Sequence, residues 1–578
     1  MVRSILRRLI SLFVFMALNF RLSAHLRLPT TSHKPTASAM AGWRLACLVM
    51  LSWPLGAGVH AQESVAPTTS STNTVALPAL GDAAAQDLSP MAERRLGDRI
   101  MRSILRDPDV IDDPLVLDYV NQVWQALLNS ARRHGEIGPE IDASHAWVPF
   151  LVRDRSVNAF ALPGGYIGVH FGLLAMTTTP DELASVLAHE MSHVTQRHIA
   201  RMISQQSRQT WMSVASMVLG ILAASRNPAA AQAMIYGGQA VAIQGQLNFS
   251  RDMEREADRI GFGVLGDAGF EPAGMAQMFE HLQQASRLND DGNFPYLRTH
   301  PLTTERIGEA HARVGPQGWA NATKAGHTDS ALWAQHALMA ARSRVLMDTR
   351  NVSLQNLLTA DIKPGSTALQ NVTAYYTSAV ALQRGADSGR ATLALNHAKG
   401  AAKGLPPDQQ TVVSRVLTLA MVEVMLMNHK PVEAYALLER EGLINHSTKQ
   451  PEEARPELLL TAQVALSLPE GRTQSAAQNQ VASNLQTHVS NHPHDAAAWA
   501  ILGELWQRLA QPLRAVRAEA EATAALGDLP GAIDRIQGAQ KRFRQPNADD
   551  VIELSVMDAR LKVWQRQQRE DLLDDRGG

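Results

Sequence analysis

Cysteine is almost missing from this chain: Cys47 is the only one in 578 residues. It falls inside an apolar stretch that reads as an export signal, so the mature protein is expected to contain none. Disulfides and thiolate metal ligands are then excluded, and a metal would have to be held by histidine and carboxylate. Lipid attachment at Cys47 is disfavoured, because the apolar run follows the cysteine and Arg44 stands where a lipidation motif wants an apolar residue. An excess of positive charge is missing too. The first 61 residues carry 7 Lys/Arg and no Asp/Glu, which leaves 47 basic against 55 acidic residues and a net charge of −8 for the remainder. That balance argues against nucleic acid as a partner. The apolar stretches also fall short of the roughly 20 residues that a spanning helix needs.

Two such stretches open the chain, Leu9 to Phe20 behind Arg7 and Arg8, and Leu45 to Leu55 behind Arg44. The second is followed by Val59-His60-Ala61, with small residues at the two positions a signal peptidase reads. Cleavage is expected after Ala61, with translation starting at Met40 and residues 1–39 an extension. A Pro/Ser/Thr-rich flexible linker then fills 62–88. The length is too great for one hydrophobic core and implies two or three domains.

From residue 89 the pattern mixes helix and strand. Ser89-Pro90 is a helix start, Leu115 to Leu128 a second helix, and Trp147–Val152 and Ala159–Val169 short strands, the latter interrupted by Pro163-Gly164-Gly165 in a way that suits a sheet edge. Thr179-Pro180-Asp181-Glu182 opens a helix expected to run past His198, and another begins near Ser250. Between them, Trp211 to Leu222 and Ala229 to Ile243 are Ala/Gly/Met-rich. They read as a buried or partner-covered helical hairpin, or as an amphipathic lid that touches membrane or unfolded substrate. Beyond about Ser330 the chain turns to Ala- and Leu-rich helical segments. Trp499-x-x-Leu502-Gly503-x-x-Trp506 followed by Ala515 matches tetratricopeptide spacing, and Ala532 and Ala539 repeat a small-residue pair. The region 330–545 is therefore read as a tetratricopeptide-like solenoid, a scaffold that exposes a concave surface for peptides or partners, with 546–578 a helical tail.

The chemistry concentrates in His189-Glu190-Met191-Ser192-His193. Residues four apart on a helix lie about 40° apart around the axis, so both imidazoles can bind one Zn2+. Glu190 then projects beside the metal, where it can take a proton from the attacking water and pass it to the leaving amine. A solvated pair of histidines is the plain alternative. A third ligand is needed, and no further histidine follows at a suitable spacing. His198 lies about 140° around the helix from His193 and reads as a surface residue. Glu254 and Asp258, at i and i+4 in Ser250-Arg251-Asp252-Met253-Glu254-Arg255-Glu256-Ala257-Asp258, can act as third ligand and as an outer residue that orients a ligand imidazole, with Glu256 facing away. By itself this segment would read as a solvated charged helix face.

Three elements in order resemble the M48 family of zinc peptidases: Asn158-Ala159-Phe160-Ala161-Leu162-Pro163-Gly164-Gly165, the HExxH at 189–193, and Ser250-Arg251-x-x-Glu254-x-x-Ala257-Asp258. With the export signal and the helical tail, the chain is similar to the periplasmic members. The resemblance covers roughly 90–315. It implies an α+β zincin-like metallopeptidase domain at 89–315, mostly helical with a small sheet, ahead of the all-α solenoid. It also implies one Zn2+ per chain on His189, His193 and Glu254, with Glu190 catalytic and Asp258 functional. Thr299-His300-Pro301 with Arg306 matches a further element of that family. His300 reads as a transition-state donor, as a fourth zinc ligand that holds the enzyme off, or as a plain helix-start residue beside proline.

The reading that follows is a periplasmic zinc endopeptidase, soluble or peripherally attached to the outer membrane. By resemblance its clients are misassembled or stalled proteins, and its repeat domain would dock to the machinery that assembles outer-membrane β-barrels. The competing reading is a tetratricopeptide chaperone or adaptor with a gated or vestigial zinc site. An aminopeptidase is disfavoured, since no acidic anchor for a free amino terminus is evident.

Overall fold

Three helices of the first half begin alike, with an oxygen side chain capping the first turn and proline inside it. Ser89, Asp113 and Thr179 accept hydrogen bonds from the backbone N–H groups of Ala92, Val116 and Glu182, ahead of helices α1 (Pro90–Ile104), α2 (Pro114–Arg133) and α5 (Pro180–Thr195). Each cap satisfies a backbone donor that the helix leaves unpaired, worth about 1 kcal/mol. In this computed structural model the described residues are 88–204, 250–288, 294–322, 330–358, 365–444, 455–543 and 548–577. The export signal with Cys47, nearly all of the linker and the apolar stretch 211–243 lie outside them.

The sheet has four strands in the order β1-β2-β4-β3: β1 (Val110–Ile111), β2 (Val148–Val152), β3 (Ala159–Leu162) and β4 (Tyr166–His170). Strands β2 and β4 are parallel, while β1 and β3 are antiparallel to their neighbours. The segment read as one interrupted strand is thus the hairpin β3–β4. Gly164 and Gly165 in its turn both have positive φ, 76° and 85°, a backbone that residues with a Cβ resist. Strand β3 lies at the sheet edge, beside α5.

Short helices α3 (Pro139–Ser144) and α4 (Phe171–Met176) flank the sheet, and α5 runs through the centre of the domain with all sixteen residues buried. It packs on α2, on β3, on α7 (Arg251–Asp267) and on α8 (Ala273–Leu288). Contrary to the expected run past His198, α5 ends at Thr195. Gln196 closes it, Arg197 takes φ 52°, and α6 (His198–Ser204) starts in a new direction. A left-handed backbone at a non-glycine residue is costly. Here it is held by the buried Arg197 guanidinium, which pairs with Glu93 at 3.1 Å and donates to the Leu88 carbonyl. The first half closes with α9 (Pro295–Thr299) and α10 (Thr304–Ala322), which is kinked at Gly315 ahead of Pro316.

From Ser330 on, the described residues are helical: α11 (Ser330–Leu346), α12 (Asn351–Leu358), α13 (Ala368–Arg384), α14 (Ser388–Ala402), α15 (Pro407–Met427), α16 (Pro431–Arg440), α17 (Arg455–Ser467), α18 (Arg472–Asn491), α19 (Ala496–Arg508), α20 (Pro512–Ala525), α21 (Leu529–Arg542) and α22 (Ala548–Gly577). Successive helices pack on one another. Helix α15 is long and apolar enough to cross a membrane by composition, but half of its apolar window is buried against its neighbours. The peptidase-like half and the helical half share one core, which runs from Leu115 to Val464.

Three arginines of the helical half stitch that joint, each bridging an aspartate at the start of α2 to a carboxylate of its own half. Arg342 pairs with Asp113 at 2.9 Å and Glu423 at 2.8 Å, Arg415 with Asp118 at 3.2 Å and with Glu457, and Arg455 with Asp112 at 2.9 Å and Asp495 at 2.6 Å. The Arg342 side chain is only 2% exposed. Removing one member of such a buried network strands the other charges. Arg342→Met is therefore expected to lower stability by about 3–5 kcal/mol in urea titrations. Adding Asp113→Asn, which keeps a capping acceptor, is expected to recover part of that loss.

Candidate metal centre

Helix α5 presents His189 and His193 one turn apart, and α7 crosses it closely enough to bring carboxylates to them. Gly261 makes the crossing possible: a Cβ there would lie 3.2 Å from the backbone of Ala188 and His189. From α7, Glu254 then reaches the pair, with its carboxylate oxygens 3.6 Å from His189 Nε2 and 3.5 Å from His193 Nε2. His300, the residue that ends α9, completes the group; its Nδ1 is 2.9 Å from Glu254 Oε1 and 3.3 Å from His189 Nε2. One donor atom from each of His189, His193, Glu254 and His300 falls within 4.8 Å of the others. All four residues are buried, at 1–2% exposure. Nitrogen and carboxylate donors converging in a buried place suit a divalent transition metal, and the absence of thiolate matches the sequence.

Glu190 stands beside this group. One carboxylate oxygen accepts the Ala161 N–H of β3 at 3.1 Å, and the other is 3.6 Å from His300 Nε2 with no hydrogen bond among the described residues. Burial drives its pKa up to about 8, against the opposing pull of His189. A carboxyl poised near neutrality and wedged between the donors and an edge strand can both take and return a proton.

Asp258 sits one turn beyond Glu254 on α7 and accepts from His189 Nδ1 at 2.9 Å. Its other partner is Arg306 of α10, whose guanidinium grips it at 2.7 and 2.8 Å. The same guanidinium comes within 2.6 Å of Glu254 Oε2, a charge contact without hydrogen-bond alignment. Burial alone would raise the pKa of both carboxyls. For Asp258 the bonds from Arg306 and His189 outweigh it, and for Glu254 the neighbouring His300, His189 and Arg306 do, so both are held below the usual carboxylate range. Burial, with the neighbouring imidazoles and Arg306, pushes His193 well below its ordinary value, which keeps it neutral.

The structure thus brings His189, Glu190, His193, Glu254, Asp258 and His300 into one cluster. One residue departs from its expected place. His198, expected on the surface, has a fully buried side chain 2.9 Å from His193, because the break at Arg197 re-aims it. Glu256 does turn away from the cluster, but onto His198 and Arg201, at 3.0 and 2.9 Å. Burial lowers the His198 pKa to about 4, partly offset by Glu256, so the ring is neutral at pH 7. The grip of Arg306 on Asp258 and Glu254 carried no local sequence signal, since both carboxylates lie far away along the chain, whereas the Tyr296 ring that stacks on His300 at 4.8 Å is only four residues from it.

Fold and site together define a metallopeptidase domain, and residues 119–314 match peptidase family M48. The chain therefore contains an M48 peptidase domain. Among its relatives are beta-barrel assembly-enhancing proteases. It is 35% identical to that of Yersinia pestis over 272 residues, 46% of this chain and 51% of the relative, and 34% identical to that of Escherichia coli K12 over 238 residues, 41% and 47%. The mitochondrial metalloendopeptidase OMA1 of Arabidopsis thaliana is 34% identical over 161 residues, 28% of this chain and 30% of the relative. The chain spans about half the length of the bacterial relatives it matches.

Replacing Arg306 by Met would leave two buried carboxylates without their cation. In metal-free protein held in chelator, the expected loss of stability is about 3–5 kcal/mol by urea titration. An unchanged midpoint would show that Glu254 and Asp258 do not depend on the guanidinium.

Proposed function

We propose that the protein is a zinc-dependent endopeptidase of the bacterial envelope, acting on unfolded or misassembled proteins in outer-membrane β-barrel assembly and quality control. The observation that carries this reading is the convergence of His189, His193 and Glu254, with Glu190 held between them and the edge strand β3. His189, His193 and Glu254 would hold the zinc, and His300 offers a fourth donor. When bound, zinc supplies Lewis acidity toward water and the scissile carbonyl. The chain's own residues do the rest. Glu190, anchored by the Ala161 N–H, accepts a proton from water and returns it to the leaving amine. Asp258 fixes the His189 ring, and Arg306 holds Asp258 in place. The outer edge of β3, which has no strand partner among the described residues, offers backbone groups on which an extended substrate adds as a strand, which favours unfolded chains over folded ones. The relatives named for β-barrel assembly, together with the expected export signal, support the envelope and periplasmic setting.

A tetratricopeptide-like character for the helical half is part of the proposal. Its support is the packing at the motif: a Cβ on Gly503 of α19 would meet Glu519, Ala515 and Ala518 of α20 at 3.3–3.6 Å, a close helix approach of the kind that repeat uses. That half would present clients or dock to an assembly machine.

The adaptor reading, with a gated site, keeps one observation in its favour: His300 and Tyr296 lie over the donors, and every donor is buried. In the proposal this is a closed state, and His300 withdraws to admit substrate. Casein degradation by Glu190→Gln is expected to fall about 10²–10⁴-fold while one equivalent of zinc is retained by metal analysis. Equal, metal-independent behaviour of wild type and variant would favour the adaptor. His300→Ala is expected to raise casein turnover, measured under the same zinc loading; a fall would assign His300 to the reaction instead of to the gate.

A further inference from the structure

We propose that His198 is a positioning residue: through it, Glu256 and Arg201 hold the His193 imidazole in the tautomer whose Nε2 lone pair faces the metal cluster. The inference rests on the zinc reading above and concerns how this chain prepares its second histidine.

The proton positions follow from the partners. Glu256 Oε2 takes Arg201 Nη1 at 2.9 Å and lies 3.0 Å from His198 Nε2. A carboxylate only accepts, so His198 carries its hydrogen on Nε2. A neutral imidazole has one N–H, which leaves Nδ1 of His198 as an acceptor. The 2.9 Å contact between the Nδ1 atoms of His198 and His193 is then a hydrogen bond only if His193 donates. His193 therefore has no hydrogen on Nε2. His189 reaches the same state by a shorter route, since its Nδ1 donates directly to Asp258 at 2.9 Å.

The two Nε2 atoms are 3.0 Å apart. Without the relay, His193 would hydrogen-bond to His189 through Nε2–H, and a proton would occupy the place of the metal. With it, the Nε2 lone pairs of His189 and His193 face one another, an arrangement that a cation relieves and a hydrogen bond between those two rings cannot. Each ligand imidazole is thus backed by a carboxylate that is itself pinned by an arginine, Asp258 by Arg306 on one side and Glu256 by Arg201 on the other. The second arm needs an interposed ring because Glu256 projects from the far flank of α7, and the left-handed backbone at Arg197 is what turns His198 into that gap.

The test is zinc affinity of the full chain, by competition with a chromophoric chelator, beside thermal unfolding of the metal-free protein. His198→Leu removes the acceptor for His193 Nδ1–H and is expected to raise the zinc Kd about 10–100-fold, the usual effect of losing a residue that orients a ligand, with the metal-free melting temperature little changed. His198→Gln, whose carbonyl can accept the same hydrogen, is expected to recover most of the affinity. Glu256→Leu, at a partly exposed position that leaves the His198 ring in place, keeps the test open should His198→Leu not fold; it is expected to weaken zinc binding in the same direction. Wild-type affinity in His198→Leu or in Glu256→Leu, or a loss in His198→Leu that His198→Gln does not recover, would overturn the relay alone. A wild-type chain that takes up no stoichiometric zinc would overturn the zinc reading and the relay with it.

Discussion

The close crossing of α7 over α5 is the contact on which the rest of the site depends. With hydrogen in place of a side chain at Gly261, the α7 backbone can press onto Ala188 and His189. That approach brings Glu254 within reach of both imidazoles and sets Asp258 behind His189. A methyl group at that position would have to push the helices apart by a few tenths of an ångström. Donor atoms that must share one metal do not tolerate much of that, because their usefulness depends on separations set by the metal.

Such a crossing concentrates acid groups in the interior, and the structure answers with a single cation. Arg306 satisfies Asp258 through two hydrogen bonds and lies against Glu254 as well. Burying three ionisable carboxyls together is costly unless their charges are balanced. The balance is uneven by design of the contacts: Glu254 and Asp258, next to the guanidinium, stay ionised, whereas Glu190, which does not pair with it and has one oxygen without a hydrogen bond among the described residues, is pushed by burial toward neutrality. One fold thus provides carboxylates of two kinds within a few ångströms, one kind suited to binding a cation and the other to moving a proton.

The helical half is joined to this site by the same physics on a larger scale. The three aspartates Asp112, Asp113 and Asp118 lie at or near the start of α2, a helix whose apolar face lines the core next to α5. Their arginine partners come from α11, α15 and α17, so the helical half is fastened to the element that supports the catalytic helix. Motion in that half would be felt at α2 and α4, on which α11 packs, and at α5, which α11 also touches. That connection gives the helical half a physical route to the site.

Much of the site is local and was legible in the sequence. The HExxH spacing places two histidines on one helix face whatever the rest of the chain does, and Thr179 with Pro180 marks where that helix begins. The strand segments were also readable, because side-chain alternation is a local property, although Ala159–Val169 was read as one interrupted strand and forms a hairpin. Glu254 was less so: its i, i+4 relation to Asp258 put the two on a common face, but only the resemblance to known peptidases preferred that face over a solvated one. The strand order, the cover supplied by His300 and Tyr296, the double duty of Arg306 and the place of His198 were decided by tertiary structure alone. His198 shows why. Helical periodicity carried through His193 assigns it to the surface, and the break that overrules the periodicity comes from a buried ion pair between Arg197 and Glu93, more than 100 residues apart. The sequence by itself determined which residue types share a helix face, since that depends on backbone geometry over four or five residues. Which faces meet, and so which histidine is backed by which carboxylate, was decided only by the packing of distant helices.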